Sequence, residues 1–270
     1  MTAVALIAAA MLAASPAPPA SSPAPPAATA PPAAPAAPAP PDGTYVYELT
    51  VAGQPSTSTI KVKRDADGLH ISEDSEIASH AVNAALVLNA STLAPVSYAA
   101  TYDAGTSHPQ DISITFTANA AHVATFGLQT TLAAQPGAPH LVLLDGAMPS
   151  GFFALPAVAA AARDASLTAI NAGALSAIVL SLNRSLSLPR PASVPAGDVA
   201  VSVLSPTAFS VWYDPKTFVM HELDVPLQNV VEKFVKYVAA AGTPSAVALA
   251  RQGEHRRNAR YSAAVMIARF

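Results

Sequence analysis

The stretch Val199–Val225, VAVSVLSPTAFSVWYDPKTFVMHELDV, decides the fold. β-Branched and aromatic residues alternate with polar ones on both sides of Tyr213-Asp214-Pro215-Lys216-Thr217, a cluster rich in turn formers. The spacing predicts a strand, a break at Ser205-Pro206-Thr207, and then a β-hairpin. Trp212, the chain's one tryptophan, lies in the first arm of that hairpin. Val211, Tyr213, Phe218 and Met220 are the residues expected to pack one face. The hairpin then reads as the closing edge of a sheet.

The chain upstream repeats the same period. Thr44–Val51 (TYVYELTV) puts Tyr45, Tyr47 and Leu49 on one face, and Thr57–Lys63 alternates after a break at Gly53-Gln54-Pro55. Asp65-Ala66-Asp67-Gly68 is a turn, and Leu69–Ile77 returns from it. Hairpins packed this closely predict an antiparallel meander, not βαβ units. Ser79–Tyr98 reads as strand, turn and strand. Asp111–Thr117, Ala121–Phe126, Thr130–Ala133 and His140–Leu144 extend the pattern, as do Leu167–Ile170 and a long run over Ala174–Leu188.

Two stretches break the period. Gly151–Asp164 (GFFALPAVAAAARD) is alanine-rich and predicts a helix starting near Phe153, with Pro156 in its first turn. Leu227, Val230, Val231, Phe234, Val235 and Val238 fall at helical spacing, so pattern alone predicts an amphipathic helix over 227–238. The whole reads as mainly β (α+β): a curved antiparallel sheet or open half-barrel with one or two packed helices.

Four regions follow. Residues 1–14 carry an uncharged apolar run, Ala3–Ala14, of signal-peptide type and too short to span a bilayer as a helix. Residues 15–41 hold twelve prolines and eleven alanines, and so predict an extended, disordered linker with nothing large to bury. Residues 42–241 form the antiparallel β domain, and 242–270 a basic C-terminal tail. The expected location is outside the cytoplasm, periplasmic or extracellular, with the linker a membrane-tethered stalk if the apolar run is retained.

Composition removes several function classes. The chain has no cysteine, which excludes disulfides, thiolate metal sites and a cysteine nucleophile. Five arginines lie between Arg251 and the C-terminus, and the remainder is acidic, so nucleic acid is not an expected partner. The basic tail suits an anionic membrane surface or an acidic protein partner.

Catalytic and metal-binding patterns are missing. His221-Glu222 opens like a zinc-protease motif, but Val225 stands where the second histidine belongs. Ser58-Thr59-Ile60-Lys61 has the S-x-x-K spacing, but on a strand it sends its ends to opposite faces. The acids Asp65/Asp67 and Glu73/Asp74/Glu76 read as solvated turn and strand positions. No cofactor, metal or catalytic residue is predicted. The candidate ligand-contacting residues are Phe152, Phe153, Leu155, Val158 and Trp212, placed to line a cavity or to make ordinary core.

The order of several segments carries a resemblance. TYVYELTVAGQ (44–54), RDADGL (64–69), STLAPVSY (91–98), LLDGAMPSGFFALP (143–156) and VWYDPKTFVMHELDVPLQNVV (211–231) together resemble uncharacterised bacterial periplasmic β-domains. Those domains are similar to the lipoprotein carriers LolA and LolB. The resemblance implies an open half-barrel with helix against its concave apolar face and offers no catalytic residues. It also implies that the stretch after Gln228 is a last strand. The function it suggests is non-enzymatic binding of an apolar ligand or lipid between sheet and helix. The alternatives are an interaction module displayed on the Pro/Ala stalk, and a hydrolase whose site is assembled from distant residues.

Overall fold

The computed structural model describes residues 37–77, 80–125, 127–145, 149–163, 165–183, 189–203 and 207–241. The expected apolar leader, the linker through residue 36, the Ser205-Pro206 break and the basic tail lie outside these residues.

Two runs of strands build one sheet. The first comprises β1 (Gly43–Val51), β2 (Gln54–Arg64), β3 (Leu69–Ile77), β4 (His80–Leu88), β5 (Pro95–Tyr102), β6 (Gln110–Phe116), β7 (Ala120–Thr125) and β8 (Leu128–Ala133). The second comprises β9 (Leu141–Leu143), β10 (Ser166–Asn171), β11 (Ser176–Asn183), β12 (Val199–Val203), β13 (Phe209–Tyr213), β14 (Met220–Val225) and β15 (Val230–Ala239). Among the described residues a single α-helix, α1 (Pro149–Ala162), joins β9 to β10. The sheet order is β8 to β1 and then β15 back to β9. Each run is therefore a meander, and the β1–β15 pair stitches the two together across the whole domain. All pairs are antiparallel except β9–β10, which are parallel because the chain returns through α1.

The alternation in the sequence becomes an inside and an outside. Tyr45, Tyr47, Leu49, Ile60, Val62, Leu69, Ile71, Val82 and Leu86 are buried on one face, with exposed or half-buried residues between them. The sheet curls around α1, which is buried from Pro149 to Ala159. A helix enclosed by sheet must be apolar all round, and FFALPAVAAA is. Phe153 meets Tyr45 at a tilt, with ring centroids 5.1 Å apart, and Tyr47 edge-on at 6.3 Å. Phe152 meets Phe209 edge-on at 5.2 Å. Gly151 is required here: a Cβ would lie 2.5 Å from the Leu143 carbonyl oxygen.

The sheet is not closed. Its free ends are β8 and β9, and segment 134–140 runs between them. That segment is tied to β10: Thr168 Oγ1 accepts from Gln135 N (2.9 Å) and donates to the Ala138 carbonyl (2.6 Å). Ala37, the first described residue, is buried and donates its N–H to Ala90 O at 3.2 Å.

Three local expectations are corrected. Residues 230–239 are a strand, β15, preceded by a 3-10 turn at Pro226–Gln228, and not a helix over 227–238. Their valines fit a pleated surface better than a helix, and hydrogen-bonding partners wait on both sides in β1 and β14. The apolar spacing is accidental, because Val235 and Val238 are exposed. Pro156 sits in the interior of α1 and not in its first turn, since the helix begins at Pro149. A mid-helix proline costs about 3 kcal/mol, and here the surrounding packing carries it. Of the predicted strand over Ala174–Leu188, residues 174 and 175 belong to a turn and Ser176–Asn183 to β11, while residues 184–188 lie outside the described residues.

Candidate functional site

The hairpin that decided the fold also builds the site. Along β13, Phe209 and Val211 belong to the interior core, while Ser210 and Trp212 take the other face by alternation. Trp212 is nevertheless buried and lies outside the core cluster. Its cover is the loop 189–198, which crosses the outer face of β12–β14. Val194 of that loop is buried. Ser193 donates its hydroxyl to Glu222 Oε2, and Glu222 is the cross-strand partner of Trp212. At the loop's end Asp198 Oδ2 and His221 Nδ1 lie 2.5 Å apart.

Between loop and sheet is a cavity of about 250 Å³. Trp212, Pro189, Pro191 and Pro226 supply apolar walls, and Ser202, Ser210 and Asp224 also line it. These three polar residues form a row across the sheet, because Ser202 pairs with Ser210 and Ser210 with Asp224. The Ser202 hydroxyl is buried without a hydrogen-bond partner. An unpaired buried hydroxyl beside an apolar cavity is a point where a ligand's polar end gains a bond.

The face under α1 is different. Phe152, Phe153, Leu155 and Val158 are all buried there, at most 6% exposed. The spaces beside them measure about 70, 70 and 10 Å³. A water molecule takes up about 30 Å³, so each space has room for two waters at most and these side chains are packed as interior core. The structure does not bring Trp212 together with them, because it occupies the opposite face of the sheet. A larger hollow, about 470 Å³, lies at the β7–β8 end, but His122, Gln129, Thr130 and Thr131 make it polar and open.

Several acids sit where the sequence reading did not place them. Glu73 shares the inward parity of Leu69 and Ile71 and is buried, not solvated. Its Oε1 accepts from Ser75 Oγ (2.7 Å) and its Oε2 from Ser150 N at the start of α1 (2.8 Å). Burial pushes its carboxyl up to about 7, Asp145 adds to that, and the two serines oppose it. Glu232 is fully buried, and burial, then the neighbouring Glu73 charge, hold it well above the usual carboxylate range. Burial, and then Glu232, also raise the Tyr47 hydroxyl. Asp145 by contrast is saturated: the Tyr98 and Tyr102 hydroxyls donate to Oδ2, each at 3.1 Å, and Gly173 N donates to Oδ1 at 2.9 Å. Alternation alone marks Glu73 as inward. Glu232 was hidden by the helical reading of its segment.

The remaining candidates keep simple roles. Asp65 caps its turn and pairs with Lys63 (3.1 Å), and the hydrogen bond from Lys63 is the main reason its carboxyl is lowered to about 2. Ser58 is buried and Lys61 exposed, on opposite faces of β2. The His221 ring lies against Phe234, and among the described residues no serine hydroxyl is hydrogen-bonded to it. No group of three or more His, Asp or Glu side chains able to hold a metal exists among the described residues.

No protein-family model matches this chain, and no curated protein matches it. Among solved structures, the β-barrel-like protein of a domain of unknown function, DUF1849, from Brucella abortus aligns over 76% of this chain and 100% of its own. The sequence identity is 10% and the TM-score 0.45.

Proposed function

We propose that this is an exported, non-enzymatic binding domain whose site is the Trp212 cavity on the outer face of β12–β14. The observation that carries the reading is the pairing of an aromatic and proline-walled space of about 250 Å³ with an unpaired Ser202 hydroxyl. Its ligand has an apolar body and a small polar end, as an acyl chain or lipid fragment does. Burying the apolar part is worth about 25 cal/mol per Å² removed from water. The resemblance to the LolA and LolB carriers favours the same ligand class, with the site moved from the concave face to the covered outer face. The apolar N-terminal run supports export.

Native mass spectrometry of the purified protein, followed by organic extraction, tests this. A lipid or fatty acid released in stoichiometric amount supports it. Protein that carries none, and that takes up no fatty acid when offered it, contradicts it. A second reading rests on β8: a free sheet edge whose residues are exposed or half-buried suits strand addition by a protein partner. Crosslinking from β8 to a defined protein would favour that alternative.

A further inference from the structure

The Trp212 cavity has one charged wall. Among the described residues Asp224 is the only ionisable side chain that lines it, and Asp224 is half-buried. Alternation fixes the face on which it stands. Leu223 and Val225 belong to the interior core, so Asp224 lies on the outer face with Ser210 and Trp212. No ion pair reaches its carboxylate among the described residues. Arg190 in the covering loop is exposed and donates to the Pro195 carbonyl at 3.4 Å. Lys233 is exposed and lies across the strand pair from Glu222, not from Asp224. The nearby acids are engaged: Glu222 accepts the Ser193 hydroxyl, and Asp198 is paired with His221.

The surroundings of Asp224 suit a cation. Asp224 faces Ser210 across the β13–β14 pair, and Trp212 is its diagonal neighbour on the same face. Diagonal neighbours stand roughly 7–8 Å apart, so an ammonium group between them touches carboxylate and indole together. The electron-rich face of an indole attracts such a cation. Ser210 is placed to accept from its N–H groups, and the buried, unpaired Ser202 hydroxyl offers a further acceptor one strand on. A carboxylate head meets the opposite environment. No cation lines the cavity, and Asp224 repels a second negative charge.

We propose that the cavity selects amphiphiles with a cationic head, an alkylammonium seated between Asp224 and Trp212 with its chain against the prolines of the covering loop. The proposal rests on the reading of this cavity as the ligand site and names the chemistry of the ligand's polar end. A fatty acid enters with the same chain and a disfavoured head, so it binds more weakly.

The test titrates the full chain at pH 7 with octylamine, octanol and octanoate, read by Trp212 emission. The three share a chain and differ in the charge of the head. Octylamine should bind about tenfold more tightly than octanol, through a partly desolvated ion pair and a cation–π contact together. Octanoate should saturate at the highest concentration of the three. In Asp224→Asn, octylamine and octanol should bind within about threefold of each other, since only the cation–π contact remains. Octanol or octanoate binding as tightly as octylamine overturns the cationic selection and leaves the cavity as an apolar site. So does a preference for octylamine that Asp224→Asn leaves undiminished. Saturation by none of the three overturns the selection together with the site itself.

Discussion

The two faces of β12–β14 are made from the same short strands and behave in opposite ways. Inside, Phe209, Val211 and Leu223 meet α1 and its rings, and the gaps left are about 70 Å³ or less. Outside, Ser202, Ser210, Trp212 and Asp224 are roofed by a proline-rich loop and enclose about 250 Å³. The inner face packs against a helix whose side chains can interdigitate with it. The outer face is covered by proline side chains and backbone, which are stiff and cannot fill every gap. The apolar residues under the helix therefore fill the core, and the covered outer face keeps the space in which the proposed site lies.

Removing a ring from the filled face separates the two most strongly. Phe153→Ala should lower the unfolding free energy by about 3–5 kcal/mol in urea titrations. In protein that remains folded, affinity at the Trp212 cavity should change by no more than about twofold. A large change in affinity would mean that the two faces are coupled.

The buried acids give a pH signature on the inner face alone. Burial raises the Glu73 pKa, so the folded state holds a proton that the unfolded state has already released. Stability is then greatest below the ordinary value of 4.5 and falls as pH rises towards about 7. The loss from this one group is on the order of 3 kcal/mol. Glu73→Gln should flatten the curve over that window, measured as urea midpoints at several pH values. An unchanged slope would remove Glu73 as the source.

On the outer face, Ser193→Ala deprives buried Glu222 of its donor and should cost about 1–3 kcal/mol. It should also weaken fatty-acid binding, because the loop that roofs the cavity loses a tie to β14. Melting curves and a fluorescent fatty-acid titration measure the two effects. Leu227→Ser marks the lower bound: Leu227 is 79% exposed, so its substitution should stay within about 0.5 kcal/mol and leave binding unchanged.

Much of the fold was legible because the period of two is plain in TYVYELTV, DISITFT and FSVWY, and because turns carry Asp, Gly and Pro. The single helix was legible as an alanine-rich apolar block, though its start and the place of Pro156 were not, since propensity does not record the packing that encloses a proline. β15 was misread because valines fell at helical spacing by coincidence, while the partners that make it a strand lie nearly two hundred residues away in β1. The site was half legible. Trp212 stood out as unique, but a sheet has two faces, and only the covering loop decides which one leaves space. Glu73 could have been placed by its parity with Ile71. Its hydrogen bond to Ser150 spans 77 residues and leaves no local trace.

Trp212 is the only tryptophan in the chain, so its emission reports on the cavity directly. Titration of the full-length protein with a medium-chain fatty acid, followed by tryptophan fluorescence, is the most direct test of the binding site. The expected result is a saturable spectral change that the Phe153→Ala protein retains. Emission that never changes, or a ligand response that disappears with Phe153→Ala in protein still folded, would place the site elsewhere.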